Sequence, residues 1–158
     1  MNPLQPLMAL LAQTEHERDE AWAALQRAAE AQQQAAAQCE QLLAYRREYE
    51  QRWSAQFQAG GRIELVHCYR GFMDRLTQAV EQQQRIAEHA VTQAERARTN
   101  LAEHEVRVGA VRKLIERRRQ EMRVAAERTE QQQTDEFATR MAWNGPAGGF
   151  GTGMPKAA

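Results

Sequence analysis

Counted in sevens from Val66, the positions Met73, Val80, Ala87, Ala94, Leu101, Val108, Ile115 and Met122 are all apolar. Three residues after each comes a second apolar set, Tyr69, Leu76, Ala90, Ala97, Val111 and Ala125, and only Gln83, His104 and Arg118 interrupt the combined stripe. A heptad pattern sustained over so many turns predicts a helix that packs along one seam, as in a coiled coil. A thinner seam precedes it, in which Leu4, Leu11, Leu25, Cys39 and Trp53 alternate with Leu7, Ala21, Ala28, Ala35, Leu42 and Tyr49. Arg18, Gln32 and Arg46 break this one, and much of the rest is alanine.

Punctuation turns the two seams into an architecture. Proline occurs only at 3, 6, 146 and 155, and between residues 7 and 144 glycine occurs only at 60, 61, 71 and 109. A proline-free stretch rich in Ala, Gln, Glu and Arg reads as helix, and the adjacent glycines are its break. The chain is therefore expected to be all-α, with helix one over about 4–57, a turn over about 58–62 and helix two over about 63–141. So short a connection favours antiparallel neighbours, an antiparallel coiled-coil hairpin whose second helix is the longer.

With the turn near residue 60, facing residues carry numbers that sum to about 120. That places Tyr49 near Phe72, and Leu11 near Val108 and Val111. Cys39 and Cys68 are then offset along the axis by about 18 Å, since a helix rises about 1.5 Å per residue. A disulfide tolerates a Cα separation of only about 7 Å, so both are expected to be free thiols. Helix one runs out opposite residue 116 or so, which leaves residues 117–141 expected to extend past the paired region. An uncovered helix is marginal by itself in water, so this stretch is expected to order against a partner. Residues 142–158, rich in Gly and Pro, are expected to be a disordered tail.

Composition narrows the function. Aromatic residues are 6% of the chain and the mean hydropathy is -0.76, too lean for a globular core. Charged residues make up 27% and cancel to a net charge of zero, so overall charge does not point to nucleic acid. The N-terminal stretch lacks a basic n-region and a cleavage pattern, and nothing later approaches the roughly 20 apolar residues of a membrane span. A cytoplasmic protein is expected.

No catalytic, cofactor or metal constellation emerges. His16, His67, His89 and His104 are scattered without the spacing of a zinc site, and there is neither a phosphate-binding glycine loop nor a nucleophile elbow. His104, inside the seam, is the one of note. An enzyme is not expected. Two features remain, and each has two readings.

One is the arginine run over 112–123, with Arg117, Arg118, Arg119 and Arg123. It is either a solvated face laced by pairs such as Glu116 with Arg119 or a docking surface for an acidic partner. Glu116, Glu121 and Glu127 argue against a DNA-binding basic region. The other feature is the aromatic stripe Tyr45, Tyr49 and Trp53, whose members are four apart and so lie one above another on a helix. Tyr49 and Trp53 fall on the seam and Tyr45 does not. A two-stranded core is too narrow for these three together with Leu42, Leu43, Phe57, Tyr69, Phe72 and Leu76, so the cluster is either displayed for a partner or locally thickens the core, or it makes a dimer contact.

The order of short motifs resembles the flagellar export protein FliJ family. The matching pieces are "RDEA" (18–21), "QLLAYRREY" (41–49), "YRGFMDRL" (69–76) followed by "QQQ", "KLIERR" (113–118) and "EQQQTDEFATR" (130–140). The resemblance covers about residues 7–141 and excludes the Gly-rich end from Asn144. It implies a coiled-coil stalk similar to the gamma subunit of rotary ATPases, within the type III protein export apparatus. The implied partners are the hexameric export ATPase FliI, the export gate protein FlhA and empty export chaperones. The implied location is the cytoplasmic face of the inner membrane. The resemblance places gate binding on Gln38, Leu42, Tyr45, Tyr49, Phe72, Leu76 and Ala79, and ATPase binding on Arg117, Arg118, Arg119 and Arg123. The equivalent stalk of a virulence secretion system and a dimerising structural scaffold are the alternatives.

Overall fold

The structure, a computed structural model, describes residues 2–145 and Ala157. It is all-α, with two helices, α1 over Gln5–Gln58 and α2 over Ile63–Asn144. α2 continues three residues past the expected end at 141, so Ala142, Trp143 and Asn144 are helical and not part of a tail. Of the expected tail, only Gly145 and Ala157 otherwise lie among the described residues. The chain resolves into two compact units, residues 1–112 and residues 113–158.

Local chemistry sets the helix ends. Pro6 sits in the first turn of α1, where its missing N–H has no partner to lose. Just ahead of it the Leu4 N–H donates to Asn2 Oδ1 at 3.1 Å. At the other end Gly60 adopts φ +109° and donates its N–H to the Phe57 carbonyl at 3.3 Å, a left-handed conformation that costs glycine little. Gly61 follows for a different reason, because a Cβ there would stand 2.7 Å from Phe57 Cδ1. α2 then opens with N–H groups of Leu65 and Val66 both bonded to the Arg62 carbonyl.

Within residues 1–112 the helices run antiparallel, and their cross-contacts give the register. Gln38 pairs with Gln83, Glu17 faces His104 and Tyr49 packs on Phe72. The residue numbers of each pair sum to 121, one off the expectation from the turn.

Burial follows the heptads closely. From Leu4, just ahead of α1, to Trp53 every seam position is buried or half-buried, including the polar interruptions Arg18, Gln32 and Arg46. Thr14, which fills a gap in that seam, is buried and donates its hydroxyl to the Leu11 carbonyl at 3.0 Å. On α2 the same holds from Val66 to Ile115, and then stops: Arg118, Met122 and Ala125 are exposed, as is every residue from Glu116 to Gly145. Ala94 at 0%, with Val80 and Val108 each at 2%, are the most deeply buried seam residues. Cys39 and Cys68 are free, one half-buried and one exposed.

Gly109 lies inside α2, and a Cβ added there would meet nothing within 4 Å. Glycine inside a helix costs roughly 0.5–1 kcal/mol relative to alanine. Gly109→Ala should therefore raise the free energy of unfolding by about that amount, read from urea titration followed by circular dichroism; a loss of stability would mean that this part of α2 is not continuous helix.

Candidate partner-binding surfaces

Six rings gather near the turn. Along α1, Tyr45, Tyr49, Trp53 and Phe57 contact one another in succession, with centroids 6.0, 5.8 and 5.2 Å apart. From α2, Phe72 tilts against Tyr49 at 4.4 Å, and Tyr69 touches Tyr49, Trp53 and Phe57 at 6.3, 5.3 and 5.4 Å. Such separations suit offset and edge-on ring pairs, each worth about 0.5–1.5 kcal/mol beyond the area buried. The cluster thus thickens the hairpin core locally. Tyr45, at its edge, is 48% exposed.

This geometry divides the residues that the resemblance assigned to gate binding. Leu76 is 8% exposed and belongs to the core. Leu42, Tyr49 and Phe72 are half-buried, the last two held by the ring contacts. Gln38, Tyr45 and Ala79 are exposed. Gln38, Leu42, Tyr45 and Tyr49 form one stripe at i, i+4, i+7 and i+11, and Phe72, Leu76 and Ala79 form a matching one. The Gln38 bond to Gln83, 3.1 Å, and the Tyr49 contact with Phe72 put both stripes on the same side of the hairpin. Sequence reasoning treated Gln83 only as a break in the seam; the hairpin register was the signal that places it opposite Gln38.

The second candidate surface lies on α2 after Arg112. Between residues 112 and 128 the chain carries Arg112, Lys113, Arg117, Arg118, Arg119, Arg123 and Arg128 against Glu116, Glu121 and Glu127. Arg117 and Arg118 share Glu121, at 4.0 and 3.7 Å. All three side chains are more than half exposed, and exposed pairs of this kind contribute little. Arg123 forms no ion pair among the described residues, and it and Arg119 are exposed. The run is therefore an excess of accessible positive charge with weak internal neutralisation.

Elsewhere the charged contacts are few. Arg112 bonds Glu15 across the hairpin at 2.9 Å. His104 Nδ1 is buried without a hydrogen-bond partner, and Glu17 Oε2 lies 4.0 Å away, too far to supply one. No group of three His, Cys, Asp or Glu among the described residues could hold a metal ion. No helix there is long and apolar enough to cross a membrane.

The family model described as the flagellar FliJ protein matches residues 2–147. No curated protein and no solved structure matches the chain.

Proposed function

We propose that this chain, which belongs to the flagellar FliJ family, is the coiled-coil stalk that joins the export ATPase to the export gate. Family membership makes it a coiled-coil component of flagellar protein export. The finer reading gives it two separate contacts. The export ATPase FliI, as a hexamer, takes the α2 stretch that carries Arg117, Arg118, Arg119 and Arg123. The gate protein FlhA takes the side of the hairpin bearing Gln38, Leu42, Tyr45, Tyr49, Phe72, Leu76 and Ala79, in which Tyr45, Gln38 and Ala79 touch the partner and Tyr49, Phe72 and Leu76 support them. Empty export chaperones are its cargo. It works in the cytoplasm, at the inner face of the membrane that holds the gate.

The observation that carries this reading is the abrupt end of burial after Ile115. The apolar heptads run on to Met122 and Ala125 and the helix to Asn144, yet every residue from Glu116 to Gly145 is exposed and none is covered by another described residue. A long uncovered helix with surplus positive charge supports a partner that supplies the missing cover and the opposite charge.

The test is whether the purified chain promotes hexamer assembly and ATP hydrolysis by the export ATPase of the same organism. Stimulation at substoichiometric amounts of chain is expected. Absence of stimulation, with both proteins folded, would overturn the ATPase half of the reading. For the gate half, Tyr45→Ala should weaken binding to the cytoplasmic domain of the gate protein by about tenfold, the usual effect of losing an exposed aromatic anchor, while ATPase stimulation stays intact. Unchanged gate affinity would remove Tyr45 from that contact.

A further inference from the structure

We infer that the hairpin opens locally in its middle, where residues 21–37 of α1 face residues 84–100 of α2, while both flanks stay paired. This inference does not rest on the proposed partners. It comes from how the seam is filled along its length.

Three sections are distinguishable within residues 1–112. Nearest the turn, Leu42, Tyr49, Trp53, Tyr69, Met73, Leu76 and Val80 fill the seam, and Phe57 and Phe72 widen it. At the opposite flank are Leu4, Leu7, Leu11, Leu101, Val108 and Val111. Between them the seam is alanine: Ala21, Ala28 and Ala35 against Ala87, Ala90, Ala94 and Ala97. Leu25 is the only large apolar side chain there, and Gln32 occupies a core position. Ala21, Ala35 and Ala94 are almost completely buried, so the packing is close; it nonetheless removes far less apolar surface from water per turn than the flanks do.

A second observation points the same way. Gln38 with Gln83 closes one end of this middle section, and Glu17 facing His104 closes the other. Between those two layers no hydrogen bond or ion pair crosses from α1 to α2 among the described residues. The middle is thus deficient in apolar burial relative to both flanks, and no cross-helix polar contact within it offsets that deficit. Regions with few buried contacts open at lower free energy than the whole domain unfolds. Unpaired helices of this length are marginal in water, so opening exposes their amides to exchange even though alanine favours the helix. The consequence is a compliant segment between two firm ones.

Amide hydrogen exchange of the full-length chain, resolved by mass spectrometry or NMR, tests this directly. Protection factors over 21–37 and 84–100 should pass through a minimum, at least ~10-fold below those over 42–57 and 66–80 and below those around 101–112. Gln32→Leu should narrow the gap by raising protection in the middle alone. A steady fall in protection from the turn toward Gln5, without a minimum, would be fraying from the free end and would overturn the inference. So would uniform protection, or a gap that Gln32→Leu leaves unchanged.

Discussion

Tyr49→Ala should lower the free energy of unfolding of the hairpin by about 2–4 kcal/mol, the largest loss from any single aromatic substitution here. Tyr49 is the hub of the ring cluster, in contact with Tyr45, Trp53, Tyr69 and Phe72. Truncating a fully buried Phe or Trp costs about 3–5 kcal/mol, and Tyr49 is half-buried, which sets the lower figure. Two of its four partners belong to α2, so the loss falls on the cross-helix packing that keeps the turn end closed. Tyr45→Ala removes a ring of similar size that touches only Tyr49 among the rings and is 48% exposed; it should cost about 1 kcal/mol or less. Urea unfolding followed by far-ultraviolet circular dichroism reads both. Equal losses for the two tyrosines would mean that the rings pack differently from the arrangement described above. The contrast also separates roles: a binding defect in a Tyr49 variant is confounded by stability, whereas one in a Tyr45 variant is not.

The second large effect is on association. Reversing Arg117, Arg118 and Arg119 to glutamate should weaken binding to the export ATPase by about 30-fold or more and abolish its stimulation. The hairpin itself should melt at an unchanged temperature, because all three side chains are exposed and the ion pairs that Arg117 and Arg118 make with Glu121 are long. Wild-type affinity should also fall steeply between low and physiological salt, where exposed charges become screened beyond a Debye length of about 8 Å. Binding that survives both the reversal and added salt would locate the ATPase contact elsewhere, and the exposed Phe137, Met141 and Trp143 near the end of α2 would be the next place to look.

Much of the fold is readable from the amino acids alone, for a definable reason. A coiled-coil seam repeats every seven residues, so membership of the core depends on position along one dimension; this is why the polar Arg18, Gln32 and Arg46 could be placed in the seam as securely as Leu25. The register followed from the glycine pair, because so short a turn leaves little freedom for the helices to slide. Thr14 went unnoticed because a threonine in a core position carries no apolar signal; only its bond to the Leu11 carbonyl, which satisfies the hydroxyl, lets it be buried. Ala142, Trp143 and Asn144 fall within the expected tail because the sequence from there on is rich in Gly and Pro, a composition that marks the end of a helix without fixing its last residue. The candidate sites were less legible still. Seven residues were assigned together to gate binding, yet Leu76 is core and Tyr49 and Phe72 hold each other; a heptad says which residues face inward without saying how much of each ring remains outside. Gln83 shows the converse, a polar residue in the seam whose meaning depends on one particular neighbour across the hairpin.

The seam that α1 offers to its own α2 is the same one it would offer to the α2 of a second molecule, and only the reversal at Gly60 and Gly61 makes the choice. Closure through a short connection acts as an effective concentration in the millimolar range, which favours the chain's own α2 over that of a second molecule. Gly60 protects that advantage because a side chain there would strain the left-handed backbone. A residue that preferred to continue the helix would tilt the balance toward exchange of whole helices between two chains, a domain-swapped pair with identical contacts. A substitution at Gly60 would therefore be expected to favour swapped pairs over closed hairpins without altering a single residue of the seam.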